Sequence, residues 1–233
     1  MSIDVACFDL DGTLVDSHTR AGLLRQLSVE VAPSLGLDGE NLAAAHTATW
    51  DSYWIDIQDD WWLGRISNAD MTRETWRRTL ASVGVTASGG DLDRLVALDY
   101  AVAQRSHHRF ADALSGLQAA SDAGLRLAVI TNGGGDLQRQ KLRDTGLEDA
   151  FELIVVSGEI GIMKPDPRIF EYALAELGVS ADRAAHVGDT LSSDIEGATA
   201  AGVLPIWLNR TGESSDYRGL EIRSLDDLTS VLG

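Results

Sequence analysis

At 233 residues, 44% apolar and 24% charged, the chain has the make-up of a folded globular protein with room for one good core and a second small module, not that of a disordered one. Its 19 basic against 36 acidic residues give a formal charge of -17, which sets the surface as a whole against nucleic acid and anionic membrane, so an anionic small molecule would need a local positive site. No apolar stretch approaches the ~20 residues of a membrane span, the start lacks the pattern of a secretion signal, and the single cysteine, Cys7, has no partner for an internal disulfide; a cytoplasmic protein, monomer or homodimer, is expected.

The apolar run Ile3 to Phe8 predicts a buried strand, with Cys7 as a core thiol, ending at Asp9-Leu10-Asp11-Gly12-Thr13 where Gly12 breaks the extended pattern. Two carboxylates therefore sit where a strand ends, the edge at which open α/β sheets bind ligands. From Asp16 to about Phe110 the pattern is helical, with apolar spacing of three and four over Ala21 to Val31, Leu42 to Tyr53, Met71 to Val83 and Leu92 to Ser106, and a capping box at Ser67 to Asp70. From Ala111 helix and strand alternate. Helices are predicted over Ala113 to Ala123, Asp136 to Asp144, Pro167 to Leu177 and Asp194 to Ala201, and strands over Leu125 to Thr131, Leu153 to Ser157, Ala184 to Gly188 and Pro205 to Leu208. The expected fold is α/β: a doubly wound parallel sheet, Rossmann-like, built from 1-16 and 111-233, with a helical cap inserted over 17-110.

Polar residues follow each main strand. Thr131-Asn132-Gly133-Gly134-Gly135 offers hydroxyl, amide and backbone N–H donors for an anion at a helix start. Lys164, one of only two lysines, follows the third strand, and Asp189 and Asp194 follow the fourth. Carboxylates gathered in one small site raise each other's pKa unless something neutralises them, and a hard divalent cation, Mg²⁺, is the natural partner. Asp9 and Asp189 by side chain with the Asp11 carbonyl make a plausible ligand set, leaving Lys164, Thr131 and Asn132 for a phosphate. A carboxylate so placed can attack phosphorus and form an aspartyl phosphate that water later hydrolyses. Asp11 would handle the proton, which requires a carboxyl raised far enough to be protonated at neutral pH. Asp194 by itself has capping its helix as the lesser alternative.

With Asp9-Leu10-Asp11-Gly12-Thr13, Thr131, Lys164-Pro165 and Gly188-Asp189 with Asp194 in this order, the chain resembles the haloacid dehalogenase superfamily, in its phosphatase branch with a helical cap after the first strand. The resemblance implies Asp9 as nucleophile, Asp11 as general acid and base, Thr131 and Lys164 as phosphate ligands, Asp189 as metal ligand, and Asp194 as a metal-shell or lysine-orienting acid. It implies a small phosphorylated substrate; a narrower likeness runs to members acting on nucleoside monophosphates or acylneuraminate 9-phosphate. Dehalogenases of the family lack the second acid, so Asp11 argues against carbon–halogen chemistry, while sugar phosphomutases keep it and stay open beside a non-catalytic binding module. In the cap, Trp50, Trp54, Trp61, Trp62 and Trp76 hold five of the six tryptophans. Core packing is the favoured reading for them, with the Trp61-Trp62 pair the best candidate for a substrate contact. Arg65, Arg73, Arg77 and Arg78 either reach a second substrate anion or lie exposed, and Arg105 to Arg109 form the return to the core.

Overall fold

The computed structural model describes residues 3–16 and 19–232; the first two and last residues of the expected core, and 17–18 at the start of the expected cap, lie outside them. Strand β1 (Val5–Phe8) occupies the middle of a six-stranded, all-parallel sheet. Its neighbours are β4 (Arg126–Thr131) on one side and β6 (Ala184–Gly188) on the other; β5 (Leu153–Val156) lies outside β4, and β7 (Leu204–Leu208) and β8 (Leu220–Ile222) outside β6. The chain runs outward from β1 to β5 and then returns to the opposite side of β1, so the direction of winding reverses between β1 and β6. That is where an open sheet leaves a crevice beyond its carboxyl ends. Phe8 is level with Val129 and Val187 in the ladders, so the residues just after β1, β4 and β6 emerge together.

Alternation along β1 explains why both faces must be covered. Ala6 and Phe8 join one apolar cluster with Leu117 and Leu142, while Val5 and Cys7 join another with Ile169 and Phe170. The first is covered by α5 (Ala113–Asp122), α6 (Gly135–Asp144) and the C-terminal α10 (Leu228–Leu232), the second by α8 (Pro167–Leu177) and α9 (Glu196–Ala200). Cys7 is buried as expected.

A two-stranded antiparallel ribbon, β2 (Val15–Asp16) with β3 (His108–Arg109), forms the stem of the helical cap. Above it stand α1 (Arg20–Val31), α2 (Gly39–Trp62), α3 (Asn68–Ser82) and α4 (Gly89–Ser106). Helix α2 runs nine residues past the expected Tyr53 end, because Trp54, Ile57 and Trp61 continue its apolar face. At Ser67 the hydroxyl accepts from Asp70 N–H as expected, but the fully reciprocal capping box is at Ser88 and Asp91, which the sequence reading passed over. Trp76 is fully buried, its indole N–H donating to Asp99 at 3.2 Å. Trp50 and Trp54 stack, and Trp54 meets Trp61 and Trp62 edge-on, so core packing accounts for much of the tryptophan content. No helix among the described residues is long and apolar enough to cross a membrane.

Candidate active site

The turn after β1 depends on Gly12, whose φ of +83° few other residues adopt and where a Cβ would collide with the Asp189 carboxylate. Arg210 holds the turn from below, donating to the Thr13 carbonyl at 2.7 Å and pairing with Asp112 at 2.8 Å. The turn thus delivers Asp9 and Asp11 to a cavity of about 560 Å³ that Thr131, Lys164, Asp189 and Asp194 also line, with Trp61 and Trp62 of the cap opposite.

Lys164 Nζ is the centre of charge. It donates to Asp9 Oδ1 at 2.7 Å and to Asp194 Oδ1 at 2.6 Å, all three side chains being buried. Asp194 also takes a hydrogen bond from Thr190 N–H at 3.1 Å and lies 3.0 Å from His186 Nε2. Burial opposes its charge, but Lys164 and His186 outweigh that and hold the carboxyl below the ordinary range. It sits in a π-helical turn, Leu191–Ile195, that runs straight into α9, so the helix expected from Asp194 to Ala201 begins three residues earlier. Its carboxylate is thus bonded to the lysine as well as to the turn that carries it.

Asp9, Asp189 and Asp194 each present a carboxylate oxygen within 4.8 Å of the others. One ammonium cannot neutralise three such groups. Burial, despite Lys164 and helped by Asp194 and Asp189, pushes the Asp9 carboxyl well up, and burial followed by Asp194 pushes Asp189 up to about 6. A cluster of oxygen donors with surplus negative charge is the donor set of a hard divalent cation, and these residues fit one.

Asn132, expected among the phosphate ligands, lines the same cavity, and its side chain is bonded to the Lys164 main chain: Nδ2 donates to its carbonyl at 2.9 Å and Oδ1 accepts from its N–H at 2.8 Å. Its side chain positions the lysine. Asp11 was expected to be raised, and the structure does the opposite. Desolvation pushes it up, but Lys141, at 2.7 and 2.6 Å from its two oxygens, and Gln138, at 2.9 Å, bring it below the usual range. Gln138 Nε2 also reaches Thr131 Oγ1 at 2.7 Å. Gln138 and Lys141 stand three apart on α6 and so share a face. Neither was singled out from sequence, although Lys141 is the second of the two lysines; His186, a lone polar residue in an apolar strand, was the other missed signal.

The cap is fastened over this site. Ser157 Oγ donates to the Trp62 carbonyl and accepts from Gly133 N–H at 2.9 Å, linking the end of α2 to the glycine turn after β4. Gly64 lies so close to the Gly158 main chain that a Cβ on it would collide. Ser157 opens a short helix, α7 (Ser157–Ile160), that replaces the expected last residue of a strand. The cap arginines are tied up elsewhere, Arg65 with Asp60, Arg73 with Asp93, and Arg77 and Arg78 with Glu74, and none lines the cavity.

Comparison with known proteins agrees with this geometry. A phosphoserine phosphatase of Thermus thermophilus is 46% identical over 128 residues, 55% of this chain and 51% of that protein. The chain spans about half the length of the phosphatase relatives it matches, among them that one and a glyceraldehyde 3-phosphate phosphatase of Methanopyrus kandleri, of which 49% is covered. A solved 2-haloacid dehalogenase of Pseudomonas syringae superposes with a TM-score of 0.72 at 30% identity, over 99% of this chain and 98% of that one. A solved HAD phosphatase of Thermococcus onnurineus gives 0.68 at 27% identity, over 99% and 98%. The family model for haloacid dehalogenase-like hydrolases matches residues 3–202, and the chain belongs to that family.

Proposed function

We propose that the protein is a Mg²⁺-dependent phosphatase of small phosphate monoesters that works through Asp9, with 1-16 and 111-233 as its catalytic core and 17-110 as its cap. The observation that carries the reading is the convergence of Asp9, Thr131, Lys164 and Asp189 on one cavity, where a nucleophile, hydroxyl and ammonium donors and surplus carboxylates meet. The phosphatase relatives support it. Dehalogenases of the family lack the second acid that Asp11 supplies here, and the dehalogenase likeness is taken as one of fold and family.

Asp9 and Asp189, with the Asp11 carbonyl, would hold the cation. When bound, it neutralises the carboxylates and the phosphoryl oxygens, so that two anions can approach. Lys164 and the Thr131 hydroxyl bind the phosphoryl oxygens, and the Asp9 carboxylate attacks phosphorus as the bond to the leaving oxygen breaks. Asp11, which Lys141 favours in its charged form, takes a proton from the water that hydrolyses the aspartyl phosphate and passes that proton to the leaving oxygen of the next turnover. The closed cap excludes bulk water while this happens.

The test is a phosphate-release screen across nucleotides, sugar phosphates and short organic phosphates, each with Mg²⁺ and with chelator. Release that chelation abolishes is expected; no release from any substrate, or release indifferent to chelator, would overturn the reading.

A further inference from the structure

Helix α6 supports the catalytic turn through Gln138 and Lys141, and the same helix receives the cap on its far end. Gln138, Lys141 and Asp144 follow one another along it at intervals of three, so each is the next one's neighbour on the helix surface. The first two bond Asp11. The third bonds the cap: Asp144 Oδ2 lies 2.9 Å from His107 Nδ1, and its Oδ1 accepts at 2.5 Å from the Gln140 amide, whose oxygen takes the Tyr100 hydroxyl proton at 3.1 Å. Tyr100 lies within α4 and His107 is the residue that closes it.

His107 stands where the cap helix gives way to the stem. Its backbone is already extended, with φ of -83° and ψ of 105°, and the next two residues pair with Val15 and Asp16 in the ribbon. Arg109, from that ribbon, donates to the Thr145 carbonyl just beyond α6. The imidazole side chain is only 2% exposed, so its Nδ1 proton needs an acceptor inside the protein, and the Asp144 carboxylate is that acceptor. A closed circuit results. It runs from Asp11 through the turn to β2, across the ribbon to β3, back one residue to His107, over to Asp144, and along α6 to Lys141 and Asp11 again. His107 does not line the cavity, so whatever it does for the reaction passes through α6.

We propose that His107 is a positioning residue for the proton-handling step: by holding Asp144 it seats α6 against the stem of the cap, so that Gln138 and Lys141 together reach Asp11. The inference rests on the phosphatase reading and adds to it a residue of the cap that acts on the proton and not on the choice of substrate.

The experiment compares kcat/KM of the full chain with Mg²⁺ on two esters. The leaving group of p-nitrophenyl phosphate departs as a stable phenolate, whereas that of glycerol 3-phosphate needs a proton. A positioned acid contributes about 10²–10⁴-fold where a proton is needed, so His107→Ala is expected to lose about tenfold on the glycerol ester and no more than about threefold on the nitrophenyl ester. Asp144→Ala, which cuts the same contact from its more exposed side, is expected to show the same difference, and His107→Asn, whose amide N–H can stand in for that of Nδ1, to regain most of the loss. In a Lys141→Met background the further cost of His107→Ala on the glycerol ester is expected to fall below about twofold, because the two changes act through one route. Equal losses on the two esters would mean that His107 only holds the fold together, and would overturn the inference; so would losses that multiply in the double variant. Either result with turnover intact defeats the inference alone, while no release from either ester by the wild-type protein defeats the phosphatase reading as well.

Discussion

Lys141 Nζ lies 2.7 and 2.6 Å from the two carboxylate oxygens of Asp11, tying the turn after the first strand to a helix 130 residues further along the chain. The pair sets the charge of the one acid in the site whose proton has to move. Desolvation would raise Asp11, and Lys141 with Gln138 overrides it. Removing the ammonium in Lys141→Met takes away the main cause that lowers the carboxyl, so its pKa rises. Whichever limb of the pH–rate profile belongs to Asp11 is then expected to move to higher pH. A loss of donation on the alkaline side would begin later, and a loss of base function on the acid side would begin earlier. Steady-state profiles of wild type and variant check this; coincident profiles would remove Lys141 from the control of Asp11.

Asp9 and Asp189 shift the other way, and the sign matters for stability. Burial and neighbouring acids raise both, Asp189 to about 6. The folded protein therefore holds these protons more tightly than the unfolded chain does. Without a cation, the part of the stability that Asp189 carries is lost as pH rises from the ordinary carboxylate range through about 6, and Asp9 adds a loss in the same direction. A divalent cation has to displace the same protons. The rise in Tm on adding Mg²⁺ is accordingly expected to be larger at pH 7.5 than at pH 5, with saturation at a hundred times Kd stabilising by about 2.7 kcal/mol. Melting curves at the two pH values decide it, and an equal or absent response at both would count against the cluster as a cation site.

The cap should loosen when its fastening is cut. Ser157 joins the Trp62 carbonyl to the Gly133 N–H. Ser157→Ala removes a hydroxyl whose net contribution is about 1 kcal/mol, so KM is expected to rise by about fivefold with little change in melting temperature. A KM unchanged in the variant would show that closure does not depend on this contact.

Much of the core was legible because its strands are short apolar runs, each followed at once by polar residues. Val5–Phe8 and Ala184–Gly188 need no periodicity to be recognised, and Asp9 and Asp189 follow from where those strands stop. The supporting residues were hidden for the same reason that the strands were visible. Gln138 and Lys141 lie in a helix whose composition reads as a solvated surface, yet both are buried against Asp11. Only the fold shows that their side chains turn inward. Strand β8 and helix α10 are too short to announce themselves.

The most direct measurement of the central claim concerns Asp9 itself. Protein quenched in acid during turnover with Mg²⁺ and digested for mass spectrometry is expected to carry a phosphoryl adduct on Asp9, and Asp9→Asn should lack it while losing phosphate release by about 10³-fold or more. An Asp9→Asn protein that releases phosphate at the wild-type rate would contradict the account.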